Sequence, residues 1–209
     1  MKRKKLIIIG AGGHGKVIAD IAFNMKRWEN ILFIDDTNQE KEILGFPIVG
    51  SLKDTKKFID DADFFIAIGN NNFRSEIIIK LENQGASLAT LIHPTAIIGM
   101  DVSIGSGTAV MAGVVINSSC SIGRGVILNT GSTIDHDCIV GDFTHISPGV
   151  NIAGTVNIGE KTWIGIGSTI RNNIKVGSEV IIGAGSIIVK NINRKGTYFG
   201  NPLQKKLEE

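Results

Sequence analysis

From Ile98 the chain can be written in sixes: IGMDVS, IGSGTA, VMAGVV, INSSCS, and so on to IGAGSI and IVKNIN, sixteen in all with no insertion. Every six opens on Ile, Val or Leu, its fifth place is Val, Thr, Cys, Ser or Ile, and its second place is often Gly. A helix of 3.6 residues per turn cannot keep such a pattern on one face, because the periods do not match. Six is a multiple of the two-residue strand period. Each six can therefore be a short strand plus a corner, with the first and fifth places pointing inward. Three sixes close one triangular coil, so residues eighteen apart stack along the axis. The backbones then pair as parallel strands, and the Ile/Val column becomes a continuous core. Frequent glycine suits corners that need a positive φ. This pattern predicts a parallel β-helix. IHPTAI, at Ile92–Ile97, reads as one more degenerate repeat where the coils begin.

The uninterrupted run resembles the hexapeptide-repeat acyltransferases, whose helix is left-handed. The handedness is taken from that resemblance, since parallel crossovers are otherwise nearly always right-handed.

Residues 1–92 read differently. Lys5–Gly10, Ile31–Asp35, Asp63–Gly69 and Ser87–Ile92 are strand-like runs. Between them lie helical spacing over His14–Met25, a short helix over Ser51–Asp61 with Ser51 as N-cap, and a helix over Asn71–Gln84 closed by Gly85. Lys41–Gly50 is a turn-rich link. Alternating strands and helices predict a small parallel sheet of the doubly wound kind. The expected whole is a Rossmann-like βαβ domain over residues 1–92, then a left-handed β-helix with a charged tail over residues 93–209.

Composition excludes several classes. A net charge of +2 with no long internal basic run argues against a nucleic-acid protein. MKRKK is basic, but LIIIGAGGHG behind it is too short and too glycine-rich for a signal peptide. No stretch is long enough to span a membrane, so the expected compartment is the cytoplasm. Cys120 and Cys138 are the only cysteines, both at fifth places and eighteen apart. They are expected to stack, reduced, inside the prism; a disulfide is unusual in that compartment, and a metal would need further ligands.

Gly10-Ala11-Gly12-Gly13-His14-Gly15 fits G-x-G-x-x-G between a strand and a helix, with Asp35 twenty residues beyond Gly15. Glycines let a phosphate approach the backbone, and a helix N-terminus favours an anion. The domain is about half the usual dinucleotide fold, so a single nucleotide with a diphosphate fits better than a nicotinamide cofactor. A glycine turn that merely packs helix on strand is the plainer alternative. His14, inside the loop, is expected to face the ligand and donate to a phosphate or sugar hydroxyl. Lys16 adds charge nearby.

In the repeats, Asp135-His136-Asp137 sets a histidine between two carboxylates at second, third and fourth places, none of them inward. A neutral imidazole beside a carboxylate is a general base suited to neutral pH. Such a base can take a proton from an amine or hydroxyl attacking a thioester. A surface ion pair of no consequence is the alternative. No Cys or Ser is set up as a nucleophile, so direct transfer is the economical mechanism. His145 lies nine residues on, half a coil away. It need not meet His136 within one chain, and an adjacent subunit can complete the site. His93, His136 and His145 lack the spacing of a metal site, and none is expected.

GAGGHGKV at the start, HPTA at the junction, N-x6-HD at Asn129–Asp137 and H-x8-AG at His145–Gly154 together resemble the bacterial sugar O/N-acetyltransferases. This family includes sialic acid O-acetyltransferases and nucleotide-4-amino-sugar N-acetyltransferases. The resemblance covers essentially the full length. It implies a homotrimer with acetyl-CoA between neighbouring β-helices and a nucleotide-activated amino sugar held by the amino-terminal domain. It also implies a catalytic base at His136, steadied by Asp137 or Asp135, and a substrate-side asparagine at Asn129. His145 is implied near the thioester, and Gly154, Ile166 and Ala184 along the pantetheine arm. Gly12, His14, Gly15 and Asp35 fall in the nucleotide-sugar site, with Asp35 or Asp36 near the base. On charge alone, Lys190, Arg194 and Lys195 can meet the CoA phosphates. The activity so implied is N-acetylation of a nucleotide-linked 4-amino sugar for surface glycan synthesis. O-acetylation of a sialic acid or another sugar hydroxyl keeps the same fold, and a non-catalytic trimeric scaffold is the reading from another class.

Overall fold

A computed structural model describes residues 4–205, so the ends of the basic start and of the charged tail lie outside the described residues. The chain divides between Pro94 and Thr95 into two compact units.

The first unit is built on four parallel strands in the order β2-β1-β5-β6. These are β1 (Lys5–Ile9), β2 (Asn30–Ile34), β5 (Ala62–Ile66) and β6 (Ser87–Leu88). Helix α1 (Gly13–Met25) links β1 to β2, and α2 (Asn71–Asn83) links β5 to β6. Leu6, Ile7, Ile8, Phe33, Ile34, Phe64 and Phe65 are buried, as continuous apolar runs in a parallel sheet should be. Chain order reverses between β1 and β5, which opens the crevice where ligands of such sheets bind.

Three details depart from the sequence reading. The Lys41–Gly50 link holds a hairpin of β3 (Glu42–Ile43) and β4 (Phe46–Pro47), turned by Leu44 and Gly45 at φ 54° and 80°. Two positive φ values in succession are what a two-residue hairpin loop needs. The expected helix over Ser51–Asp61 is a 3-10 helix, Leu52–Lys57, entered through the Asp54 carboxylate, which accepts from the Ser51 N–H and hydroxyl. The strand expected over Ser87–Ile92 comes as two pieces, Ser87–Leu88 and Leu91–Ile92.

The second unit is the expected parallel solenoid. Two-residue strands recur every six residues from Ile97–Ile98 to Ile187–Ile188, on three faces. The first face stacks Ala109–Val110, Ile127–Leu128, His145–Ile146, Trp163–Ile164 and Val180–Ile182. The second runs from Ile97–Ile98 through Val115–Ile116, Thr133–Ile134, Asn151–Ile152 and Thr169–Ile170 to Ile187–Ile188. The third runs from Ser103–Ile104 through Ser121–Ile122, Ile139–Val140 and Asn157–Ile158 to Lys175–Val176. Each strand pairs in register with the one eighteen residues on. Beyond them, Gly196–Gly200 pairs with Val180–Ile182 and turns back on Leu203–Lys205.

First places from Val110 and fifth places from Thr108 are buried. Thr and Cys at the fifth place donate to a carbonyl fifteen residues on, as Ser168 does to Gly183, whereas Ser186 reaches back to Gly183 and the buried Ser132 hydroxyl has no partner among the described residues. Thr108 reaches Gly123, Thr144 Gly159 and Thr162 Gly177, while Cys120 reaches Asp135 and Cys138 reaches Ala153. A buried hydroxyl or thiol so satisfied carries little cost.

Two kinds of glycine recur at the corners of the repeats. Positive φ belongs to the fourth place, filled by Gly at Gly107, Gly131 and Gly149 but also by Asp137, Phe143 and Lys161. Second-place glycines serve close approach instead: a Cβ at Gly141 would lie 2.6 Å from the Glu160 backbone nitrogen.

Candidate functional site

His136 leaves the second face after Thr133–Ile134 and stands on the corner before the third-face strand Ile139–Val140. Asp137, at φ 58°, takes the left-handed turn of that corner. Its carboxylate is thereby brought back to the imidazole, and Nδ1 of His136 donates to Asp137 Oδ2 at 2.7 Å. Asp135 does something else. Its Oδ1 accepts the His136 backbone N–H and the Asn117 side-chain amide, both at 2.8 Å. Asp137 therefore orients the ring and Asp135 braces the backbone beneath it, a choice the sequence left open. The hydrogen bond to Asp137, then the charge of Asp135, raise the His136 pKa above its ordinary value of 6.5. The Asn117 hydrogen bond, then that of the His136 N–H, lower the Asp135 carboxyl. The result is a solvent-exposed imidazole, clamped at Nδ1.

Gly154 sits one coil on from His136, also at a third place. A Cβ there would fall 2.6 Å from both Cε1 and Nε2 of His136. The imidazole lies over bare backbone, and a side chain would displace it.

His145 belongs to the first face. Its Nε2 is 3.2 Å from Asn129 Nδ2. Asn129 Oδ1 accepts the Thr130 N–H at 2.9 Å, which settles the amide's orientation and leaves Nδ2 to donate to His145. Nε2 is therefore the acceptor, and the neutral ring carries its proton on Nδ1. The ring stacks on Trp163, with centroids 5.2 Å apart and planes at 21°.

Beside this pair a cavity of about 480 Å³ is lined by His145, Ser147, Pro148, Trp163, Ile166, Ile181 and Ala184, among others. It gathers three residues singled out from the sequence: His145, Ile166 and Ala184. Gly154 is not among its lining and belongs with His136 instead. A second groove, about 380 Å³, runs along the second face past Asn117, Thr133, Asp135 and Asn151. The corner between the second and third faces lies opposite the first face of a three-sided coil. His136 and the His145 cavity of one chain thus point away from each other.

In the first unit, the Gly10–Gly15 loop joins the end of β1 to α1. A Cβ on Gly15 would collide with the Gly10 carbonyl, and one on Gly10, at φ 103°, would lie 2.9 Å from the Ala67 carbonyl. These two glycines are packing requirements. Gly12 and Gly13 have nothing within 4 Å of a Cβ, and no side chain caps α1 at Gly12. Asp35 is committed within the protein. Its carboxylate accepts from the Ala11 N–H at 2.7 Å, and from the Thr37 N–H and hydroxyl and the Asn38 N–H. Burial works to raise its pKa, but these bonds together bring it below the ordinary value. Asp36 caps the 3-10 helix by accepting the Leu52 N–H at 2.8 Å.

His14 departs from expectation. It is half-buried rather than presented outward, and Nε2 is sealed without a hydrogen-bond partner among the described residues. It lies in the first turn of α1, close to the fully buried Arg74, whose guanidinium donates to the Ile68 and Gly69 carbonyls and to Asn71 Oδ1. Burial first, and Arg74 second, push the His14 pKa down to about 4.

Trp163, Ser147, Asn117 and Arg74 were not singled out from the sequence. The eighteen-residue rule that stacks the cysteines also stacks Trp163 on His145 and Asn117 on Asp135, and so would have found two of the four; Ser147, sixteen residues from its partner Trp163, falls outside it. Nothing in the sequence marks Arg74 as buried. Among the described residues no group of three or more His, Cys, Asp or Glu is placed to hold a metal ion, and no helix is long and apolar enough to cross a membrane.

The family described as the PglD N-terminal domain matches residues 5–81, and the bacterial transferase hexapeptide family (six repeats) matches residues 155–190. The chain is 40% identical to the acetyltransferase domain of PglB from Neisseria gonorrhoeae FA1090, over 97% of this chain and 100% of that one, with a TM-score of 0.94. That domain has also been solved in complex with acetyl coenzyme A. PerB from Caulobacter crescentus, solved in complex with CoA and GDP-perosamine, is 33% identical over 97% of each chain, with a TM-score of 0.92. The UDP-N-acetylbacillosamine N-acetyltransferase of Bacillus subtilis (strain 168) is 33% identical over 114 residues, which is 52% of this chain and 52% of that protein. The match thus spans about half the length of this curated relative.

Proposed function

This chain belongs to the bacterial hexapeptide-repeat N-acetyltransferases, the family of the PglB acetyltransferase domain and perosamine N-acetyltransferase, and we propose that it transfers acetyl from acetyl-CoA to the amino group of a nucleotide-linked 4-amino-deoxy sugar. The observation that carries this reading is the exposed His136 imidazole, held at Nδ1 by Asp137 with Cε1 and Nε2 over the bare backbone of Gly154. A thiol ester is activated enough for direct attack by a neutral amine. The sugar nitrogen adds to the thioester carbonyl. The nitrogen's proton passes to Nε2 of His136, and the C–S bond breaks to release CoA. The imidazolium, stabilised by Asp137, returns the proton to the departing sulfur.

The apolar cavity of His145, Ile166 and Ala184 suits the pantetheine arm, with His145 beside the thioester and Asn129 fixing its tautomer. The amino-terminal domain, residues 1–92, takes the nucleotide at the crevice between β1 and β5. There Gly12 leaves room for a phosphate, Gly15 sets the loop on α1, Asp35 shapes the loop from within, and Asp36 lies near the base. His14 acts there as a neutral group. Because the donor cavity and His136 lie on opposite sides of one solenoid, a complete site needs the corner of one copy against the first face of another. The homotrimer meets that need. Cys120 and Cys138, free and buried, fit a reducing cytoplasm, where acetyl-CoA is also available.

Thiol release from acetyl-CoA, measured with UDP-, GDP- and dTDP-linked 4-amino sugars and with free sialic acid, tests the reading. Release with one nucleotide-linked amino sugar is expected. Release with sialic acid alone would move the chemistry to a hydroxyl, and CoA binding with no release from any acceptor would favour the scaffold.

A further inference from the structure

Trp163 has no part in the steps above. It holds the sixth place of its repeat on the first face, in register with His145 one coil before and Ile181 one coil after. In-register parallel strands set like places directly over one another, so two flat rings at successive rungs stack. This accounts for the 5.2 Å separation and the 21° angle between imidazole and indole. The swing of the indole in its own plane is taken up by the hydrogen bond that its Nε1 donates to Ser147 Oγ at 2.8 Å. Asn129 holds the same imidazole by its edge. Face and edge together leave the ring little freedom. With 40% of its surface exposed, Trp163 is not there to fill the core, and it lines the donor cavity.

We propose that Trp163 is a positioning residue that holds the His145 imidazole in a fixed plane at the thioester end of the donor cavity. The proposal rests on the acetyl-transfer reading for its kinetic consequence and on geometry alone for the hold itself. A small displacement of a group at a reacting centre costs rate more than it costs binding.

The test compares Trp163→Leu, Trp163→Phe, His145→Ala and the double variant His145→Ala/Trp163→Leu. Losing the stack should lower kcat roughly tenfold with little change in KM for acetyl-CoA, and Phe, which keeps a ring, should recover most of it. In the His145→Ala background Trp163→Leu should add no further loss. A rise in KM alone, or full additivity in the double variant, would make Trp163 simply a wall of the cavity and overturn the proposal. Nitrogen NMR of the histidine rings without substrate reads the hold directly. One sharp set of ring signals is expected for His145 in the parent and in Trp163→Phe, and exchange broadening from ring motion in Trp163→Leu. An unchanged His145 signal in Trp163→Leu would also overturn it. A parent chain that releases no thiol defeats the acetyl-transfer reading, while the spectra still decide whether Trp163 holds His145.

Discussion

A general base must be neutral to work, so the bond between His136 and Asp137 has two opposed effects. It fixes the ring and stabilises the imidazolium formed in the reaction, and it also raises the pKa through which the ring must pass to become active. The acid limb of kcat/KM should accordingly lie above pH 6.5. Asp137→Asn should move that limb to lower pH while cutting the plateau rate by roughly a hundredfold. A pH–rate profile of both proteins reads the two effects separately. Gly154 offers the complementary prediction. The atoms that a Cβ would strike are the far end of the His136 side chain, which can move aside without disturbing the fold. Gly154→Ala should melt within a few degrees of the parent yet lose about ten- to a hundredfold in kcat. A large fall in melting temperature with activity retained in the folded fraction would show that His136 does not rest on that backbone. At this scale the sequence was partly legible. Asp135-His136-Asp137 pointed to an imidazole paired with a carboxylate, but two carboxylates flanking one histidine look alike until the left-handed turn at Asp137 decides which folds back. The exposure of His14 was not legible, because a glycine loop suggests an open side chain, whereas the first turn of α1 half-buries it near Arg74.

The repeat was the most legible element, since one rule governs every coil: inward first and fifth places, and partners eighteen residues apart. What the rule did not say is why glycine recurs at two different places. Second-place glycine is excluded from carrying a side chain by the next coil's backbone. Fourth-place glycine only eases a left-handed φ that Asp137, Phe143 and Lys161 also adopt. The two kinds should respond differently to alanine. Gly131→Ala meets open space and should cost about 1–2 kcal/mol for its φ of 65°. Gly141→Ala would press on the Gly159 and Glu160 backbone and should cost about 3 kcal/mol or more. Equal costs in denaturant unfolding would contradict the division. In the amino-terminal unit the strands and the two α-helices were legible from apolar runs and helical spacing. The hairpin and the 3-10 helix were not, because Leu44-Gly45 and the Ser51–Asp54 contacts act over three or four residues, below the reach of periodicity.

At the scale of the whole molecule, the arrangement of chemistry around the solenoid matters most. The cavity of His145 occupies the first face and His136 the corner opposite, so on the proposed reading one chain holds both halves of the site without joining them. The most direct test mixes two impaired proteins of known residual rate, His136→Ala and His145→Ala, by unfolding and reassembling them together, and then follows thiol release with the accepted amino sugar. Each site drawn from two neighbouring copies should find both intact histidines about a quarter of the time, so roughly that share of parental activity should return. A mixture no more active than its two components would contradict the account, because it would mean that His136 and His145 must come from the same chain.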